Sequence, residues 1–475
     1  MRAAAFLIAA AVALAALTLL APSSPSYDPF AWIVWGRELM PGAGGEPFVL
    51  AGGPSWKPLP VLFTTPFALA GGAAPALWLL VARAGLLLAL AGGFALARRL
   101  GGLLAGVVAT LALLLLADVV SLAWRGGSEP LLLAALLWSC ERHLAGRRSV
   151  AFALGVAAAS IRPELTPFLA LYASWRWREA GARERTVQVA GLALVVLLWI
   201  GVPALAGDPL AASTTARNPG TRTTAGGALR GDLRLALAAV WALALAAVAL
   251  RPHERTVRAL AVGALAWLGL LSAMAAGGYA SPARYGLPAA ACACVLAGVA
   301  GSALVERVRE RAASASGRGG AVAWTAGGLA LAALLAVPAA PRILRLHDQV
   351  REGVAVARAH DELRAVVARA GGAGRLRACA LHAWVAVNHT TGSALAWELG
   401  VSLDRVARTM SQPGLLVRAT RSAATGAPPA IVLKPAPRTD AVARAGAWRV
   451  LAVAPLPRVC GSQKASEPPR RIPNI

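Results

Sequence analysis

The side chains that could do chemistry are a few charged residues set among apolar runs. Asp28 stands in Tyr27-Asp28-Pro29-Phe30, shortly after the first apolar run and close to Trp32 and Trp35. A carboxylate at the rim of a helical bundle loses hydration, and such groups are as a rule paired, catalytic or part of a substrate path. One reaction suits it well. The carboxylate takes a proton from an incoming hydroxyl while a phosphate leaves from the sugar carbon that the hydroxyl attacks, a form of help worth about 10²–10⁴-fold. The plainer reading is a helix cap with Pro29 at the first helical position, and both can hold together.

A leaving phosphate needs cations on the same face. The candidates are Lys57, Arg83, Arg125, Arg162 and Arg284, and arginine suits bidentate phosphate contact. Arg83 lies inside an apolar helix, where an unpaired charge is costly. Arg162 lies in the break Ile161-Arg162-Pro163-Glu164, with an Arg162–Glu164 ion pair as the structural alternative. Gly126-Gly127-Ser128-Glu129-Pro130 reads as a helix start capped by Ser128, with Glu129 favourable near the N-terminus. Glu129 is therefore a second-rank acidic candidate, and Tyr27, Tyr285 and Trp56 flank the set. His382 and His389 lack metal-ligand spacing, and Asn388-His389-Thr390 matches a glycosylation sequon. The sequence contains no P-loop, dinucleotide fingerprint, GxSxG or HExxH motif. No cofactor is firmly implied, and a divalent metal is not favoured.

The elements that must position these groups belong to a membrane protein. The 475 residues are 57% apolar and only 15% charged, with mean hydropathy +0.61, far from a soluble domain. Basic residues outnumber acidic ones 47 to 22, but the arginines fall in short loops between apolar runs. That is the signature of membrane insertion rather than of nucleic-acid binding. Charge bias puts the N-terminus in the cytoplasm and residues 23–73 outside the cell (inner or plasma) membrane. Spans follow at 3–21, 74–97, 101–117, 128–145, 187–206, 232–250, 256–276, 285–304 and 321–338. Residues 149–175 are flanked by arginines on both sides and broken at Pro163, which predicts a hairpin of two short helices. The count is about eleven apolar segments. The proline-rich stretch 56–72 reads as a juxtamembrane helix.

Beyond residue 340 a charged helix (342–370) precedes short apolar runs at 377–387, 414–419, 430–434 and 448–455, with a helix at 391–400. This predicts a transmembrane domain over 1–340, a small extracytoplasmic α/β domain over 341–460 and a disordered tail over 461–475. Cys140, Cys292 and Cys294 read as core residues, and Cys379 and Cys460 can form a disulfide if their domain lies outside.

Taken in order, these features resemble the GT-C superfamily of integral-membrane glycosyltransferases, in particular its polyprenyl-phosphate-sugar-dependent mannosyl- and arabinosyltransferase-like members. The matching residues are Asp28 in the first outer loop, Lys57-Pro58-Leu59-Pro60, Arg83, the broken pair around Arg162-Pro163-Glu164, and Arg284-Tyr285 with Pro288, over about residues 1–338. The resemblance implies a mainly α transmembrane bundle. It implies Asp28 as the catalytic base and Arg284 at the donor phosphate, with a polyprenyl-phosphate sugar as donor. The acceptor would be an extracytoplasmic lipid, glycan or protein, and the displacement inverting. No Asp-x-Asp occurs in the first loop, which favours a metal-independent mechanism. The competing readings are a transporter or lipid flippase, which would place charges at the midplane, and a non-catalytic scaffold presenting the C-terminal domain.

Overall fold

The structure, a computed structural model, describes residues 2–43, 46–217, 223–315, 319–382, 384–387, 391–407, 409–410, 413–419, 432–433, 439–453, 455 and 458–460. His389, the sequon and the expected tail lie outside these residues.

The helices in chain order are α1 (Arg2–Thr18), α2 (Tyr27–Leu39), α3 (Pro58–Phe67), α4 (Ala74–Leu114), α5 (Val119–Trp124), α6 (Glu129–Leu144), α7 (Arg148–Ala159), α8 (Thr166–Arg176) and α9 (Ala182–Val196). After them come α10 (Val202–Leu205), α11 (Ala211–Ala216), α12 (Ala225–Leu233), α13 (Ala238–Leu250), α14 (Arg255–Ala276), α15 (Leu287–Ala315), α16 (Gly319–Arg369), α17 (Gly372–His382) and α18 (Gly392–Leu399). Four helical stretches among the described residues are long and apolar enough to cross a membrane, or five if the bent pair α12–α13 is one span. The chain is built as a membrane protein.

Several breaks turn these helices into a bundle with two distinct ends. α4 is interrupted at Gly101 and Gly102, the latter at φ 81°. A Cβ on Gly93 would meet Leu113, and one on Gly106 would meet the Phe94 carbonyl. The chain therefore doubles back at the glycine pair, as expected for spans at 74–97 and 101–117. The predicted hairpin is present as α7 and α8, with Arg162 extended at φ −135° before Pro163. One end of the bundle gathers basic loops. There Arg99 and Arg142 pair with Glu141, Arg251 donates to the Leu100 carbonyl, and Ser302 donates to the Gly101 carbonyl. The opposite end gathers residues 26–28, 57, 125–129, 160–162 and 284.

Small residues let the central helices approach closely. α15 runs through the middle, with Val295, Ala297, Val299 and Ala300 fully buried. Gly298 sits against the Ala105 carbonyl, where a Cβ would come within 2.3 Å. α2 is buried nearly all round, with Phe30, Trp32, Ile33, Val34 and Trp35 inside. It lies close against α3 at Gly36–Thr64, and Thr64 Oγ1 donates to the Trp32 carbonyl at 2.7 Å.

Three features differ from expectation. The span expected at 232–250 is bent by 90° between α12 and α13. The carbonyls of Arg234 and Leu235, freed by that bend, accept from the Arg342 guanidinium, and Leu235 also from the Ala117 N–H. α16 is one helix of 51 residues that runs across residue 340, so the change in composition there is not a break in the backbone. In the C-terminal part the apolar run 377–387 divides into α17 and strand β1 (Trp384–Val387).

The remaining strands are β2 (Val406–Ala407), β3 (Thr409–Met410), β4 (Gly414–Ala419), β5 (Val432–Leu433), β6 (Thr439–Ala445) and β7 (Trp448–Val453). β6 went unpredicted because its Thr-Asp-Ala-Val-Ala-Arg-Ala sequence is too poor in large apolar residues. The mixed sheet has the order β2-β1-β4-β7-β6, with β1 parallel to β2 and β4 and β7 antiparallel to its neighbours. Cys379 and Cys460 are disulfide-bonded.

This domain grips the segment around α2. Arg37 Nη2 donates to the Val401 carbonyl at 2.8 Å, and Ser402 donates through N and Oγ to Glu46. Ser24 Oγ lies 3.0 Å from His360 Nδ1, whose Nε2 faces Glu398 at 3.0 Å.

Two predictions follow from the domain and its seam. Replacing both Cys379 and Cys460 by Ser releases a cross-link spanning 81 positions and lowers the stability of the sheet by about 2–5 kcal/mol. Faster amide exchange in β4 and β7 checks this; unchanged exchange would show that packing alone holds the domain. The second concerns Glu38, at the end of α2. Burial pushes its carboxyl up to about 8 from an ordinary 4.5, against a single lowering hydrogen bond from the Val49 N–H and the nearby Arg37. A raised carboxylate binds its proton more tightly in the folded state, so its contribution to stability falls as pH rises from about 4.5 to about 8. Glu38→Gln therefore raises the melting temperature at pH 8 and matches wild type near pH 4.5. A difference that does not change with pH would remove Glu38 as its source.

Candidate active site

The site is built at the helix ends opposite the basic loops. Asp28 lies in the first turn of α2, which begins at Tyr27, two residues earlier than a cap role for Asp28 requires. Ser26 is the residue before the helix, and its N–H and Oγ donate to the Arg125 carbonyl. Lys57 is extended (φ −139°, ψ 107°) immediately before Pro58 at the start of α3. The Leu59 N–H donates to the Ser160 carbonyl at 3.0 Å, which ties this entry to the α7–α8 break. Arg284 and Tyr285 sit on a short 3-10 turn, Ala283–Gly286, ahead of α15.

Glu129 is the centre of the arrangement. Its Oε1 lies 3.5 Å from Lys57 Nζ, 3.3 Å from Arg162 Nη2 and 3.5 Å from Arg284 Nε. Arg284 Nη2 also reaches Asp28 Oδ2 at 3.1 Å, so one guanidinium bridges both carboxylates. Three cations and two carboxylates leave the group at +1. Its members differ in depth. The side chains of Glu129, Arg162 and Lys57 are 2%, 4% and 6% exposed, whereas Asp28 is 24% and Arg284 39% exposed. Asp28 and Arg284 thus form the accessible rim, with the other three beneath.

Aromatic rings line the base. The Arg162 guanidinium carbon lies 3.3 Å from the centroid of the Tyr285 ring, and Lys57 Nζ lies 5.1 Å from that of Trp32. Such contacts hold a cation without neutralising it. Arg162 Nε is buried without a hydrogen-bond partner, and Arg284 Nε meets Glu129 only as an ion pair at 3.5 Å, so neither guanidinium has its donors fully used.

The structure brings together Asp28, Lys57, Glu129, Arg162, Arg284 and Tyr285. It does not bring in Arg83, which donates to Thr18 Oγ1 at 2.9 Å and lies over Trp124, pinning the end of α1. Arg125 offers its carbonyl to Ser26, and its guanidinium makes no ion pair among the described residues. Tyr27 OH donates to the Gly52 carbonyl at 3.4 Å, and Trp56 Nε1 to the Leu198 carbonyl at 2.9 Å, so both brace the surroundings. Two readings from the sequence are corrected. Ser128 makes no side-chain cap; its Oγ accepts from Lys57 Nζ at 2.9 Å. Arg162 pairs with Glu129 rather than Glu164, because Pro163 turns the chain and leaves Glu164 Oε2 without a hydrogen-bond partner. Ser128 as a ligand of Lys57 and Trp32 as its ring partner were missed, and only their places beside Glu129 and Asp28 hinted at them. Among the described residues no three His, Cys, Asp or Glu side chains gather closely enough to hold a metal ion.

No family model and no curated protein matches the chain by sequence. Solved structures do match. ArnT from Cupriavidus metallidurans in the apo state superposes with a TM-score of 0.56 at 15% identity, over 95% of this chain and 98% of that one. The same protein bound to undecaprenyl phosphate gives 0.55 at 16% identity, over 98% and 100%. The Archaeoglobus fulgidus oligosaccharyltransferase, tethered with an acceptor peptide containing the NVT sequon, gives 0.53 at 12% identity, over 87% and 69%. The likeness is one of fold: this chain shares the fold of ArnT and of that oligosaccharyltransferase, in keeping with the fold that the resemblance read from Asp28, Lys57-Pro58 and Arg284-Tyr285 implied.

The shared carboxylate makes a prediction about stability. Glu129→Gln leaves three cations packed together without their common partner, a loss on the order of 3–5 kcal/mol for a buried pair broken on one side. Adding Lys57→Met removes one of those cations, so the double variant is less destabilised than the sum of the single changes. Thermal unfolding in detergent checks this; simple additivity would mean that Glu129 and Lys57 do not interact.

Proposed function

We propose that this protein is a membrane glycosyltransferase that moves a sugar from a polyprenyl-phosphate donor to an acceptor hydroxyl outside the membrane, with inversion at the sugar carbon. The observation that carries the reading is the rim: a partly exposed carboxylate, Asp28, held by an arginine that also pairs with Glu129 at the centre of the buried cations.

The chemistry follows from those positions. The donor phosphate enters the +1 group and takes hydrogen bonds from Arg284, with Lys57 and Arg162 adding charge from below. An arginine fork is suited to two phosphate oxygens. As the phosphate engages Arg284, Asp28 exchanges its cation partner for the acceptor hydroxyl. Asp28 then removes the hydroxyl proton as the oxygen attacks the sugar carbon. The carbon–oxygen bond to phosphate breaks on the opposite side, and the departing polyprenyl phosphate carries away the electron pair. The preformed cations stabilise that growing charge without reorganising.

ArnT, seen with undecaprenyl phosphate, and an oligosaccharyltransferase, seen with an acceptor peptide, share this fold. They support a polyprenyl-linked donor and leave the sugar and the acceptor as the questions for assay. The orientation we propose places the N-terminus in the cytoplasm, with the site and the C-terminal domain outside. The arginine-rich loops at the far end support it, as does the Cys379–Cys460 disulfide, a bond typical of oxidising compartments.

Reconstituted protein supplied with a panel of polyprenyl-phosphate sugars and a crude envelope acceptor should release polyprenyl phosphate. Asp28→Asn should lower that release by about 10²–10⁴-fold with an unchanged melting temperature. Equal release by wild type and Asp28→Asn would remove Asp28 from the mechanism. No release with any donor by folded wild type would favour a transporter or scaffold.

A further inference from the structure

Behind the site lies a carboxylate that the mechanism above does not use. Asp232, near the end of α12, is 1% exposed, and neither of its oxygens has a hydrogen-bond partner of good geometry. A buried carboxylate in that condition costs stability, and such groups persist where a function is served. Asp232 faces the turn that carries Arg284 and Tyr285. A Cβ on Gly286 would come within 2.7 Å of Asp232 Cβ, Cγ and Oδ1, and the Gly286 N–H is the backbone group facing the carboxylate. One residue earlier, Gly231 lies against Ala283 at the start of the same turn, where a Cβ would stand 3.3 Å from that of Ala283. On the other side, Trp267 Nε1 donates to the Tyr285 carbonyl at 2.9 Å. The turn is therefore clasped between α12 and α14, and its two outward side chains are the arginine that bridges Asp28 and Glu129 and the ring that carries Arg162.

We infer that Asp232 is a positioning residue for glycosyl transfer. It draws the Gly286 N–H, at the end of the turn and just ahead of α15, toward α12, and so sets the place of Arg284 between the two carboxylates. Unpaired N–H groups at a helix start attract a negative charge. Gly286 is the residue that lets the carboxylate come so near. A shift of about 1 Å in a group that must meet a transferring phosphate can cost on the order of 10²-fold in rate. The consequence for rate rests on the transferase reading; the effect on the turn does not.

The test compares wild type, Asp232→Asn and Gly286→Ala in lipid nanodiscs, using two readouts. One is polyprenyl phosphate release from a polyprenyl-phosphate sugar. The other is amide exchange over residues 283–289. Asp232→Asn keeps the shape and removes the charge; Gly286→Ala keeps the charge and displaces the turn. Both should exchange faster over 283–289 only, and both should lose about tenfold or more in release per folded molecule, with Asp232→Asn melting no lower than wild type. Wild-type exchange and release in a folded Asp232→Asn overturn the proposal. Lost release with unchanged exchange also overturns it, since Asp232 would then act by some route other than the turn. Should Asp232→Asn not fold, Gly286→Ala decides alone, and full release from that folded variant overturns the inference. If wild type itself releases nothing, the transferase reading fails separately. Exchange over 283–289 in Asp232→Asn then decides the positioning role, faster exchange upholding it and unchanged exchange overturning it.

Discussion

One carboxylate holds the candidate site together. Glu129 Oε1 is within 3.5 Å of cations from three separate stretches of chain: Lys57 at the start of α3, Arg162 in the α7–α8 break and Arg284 before α15. Three positive side chains packed without it would repel one another in a region where water screens poorly. With it, they stay close and keep a net positive charge. The position explains why a glutamate at the start of α6 is worth burying.

That convergence depends on where helices stop. Lys57 and Arg162 are both in extended conformation directly before a proline, and Arg284 follows Pro282 on a 3-10 turn. Each residue thereby stands on irregular backbone ahead of a helical turn, with its side chain reaching Glu129. The Leu59–Ser160 hydrogen bond satisfies backbone groups at the first two of these breaks, and the Trp56 and Trp78 indoles donate to two further carbonyls nearby, Leu198 in a π-helical turn and Gly126 ahead of α6. Irregular backbone of this kind survives near a membrane only when packed against protein.

Much of this was legible in the sequence. The arginine-rich loops and the Pro163 break mark where the chain turns, because insertion and helix geometry both act locally; the glycine pair at 101–102 that makes one of those turns was not read there. The candidate residues too could be named one by one, since charge among apolar runs is conspicuous. Their partnerships could not. Glu129 looked like an ordinary helix start because its three cations come from positions between 33 and 155 residues away. Arg162 had a carboxylate two positions along and uses a distant one instead. Asp232 left no local sign at all, since its importance comes from Gly286, which reaches it only through the packing of α12 on the turn before α15. The bend after α12 was missed for the same reason: the Arg342 that stabilises it lies more than a hundred residues downstream.

The grip of the C-terminal domain on α2 carries a consequence for how the protein is made. α2 and its loop emerge from the ribosome early. Their partners, His360 in α16, Glu398 in α18, Val401 and Ser402, are synthesised after every membrane helix before α16 is complete. Chains generally assemble in the order of synthesis, yet here the first acidic loop must wait for the last domain. Until the sheet has formed and Cys379 has found Cys460, Asp28 sits on a helix whose far side is bare. Maturation of the site is in this sense a closing of the chain upon its own beginning, and a molecule truncated within the sheet would lose the setting of a residue more than three hundred positions before the cut.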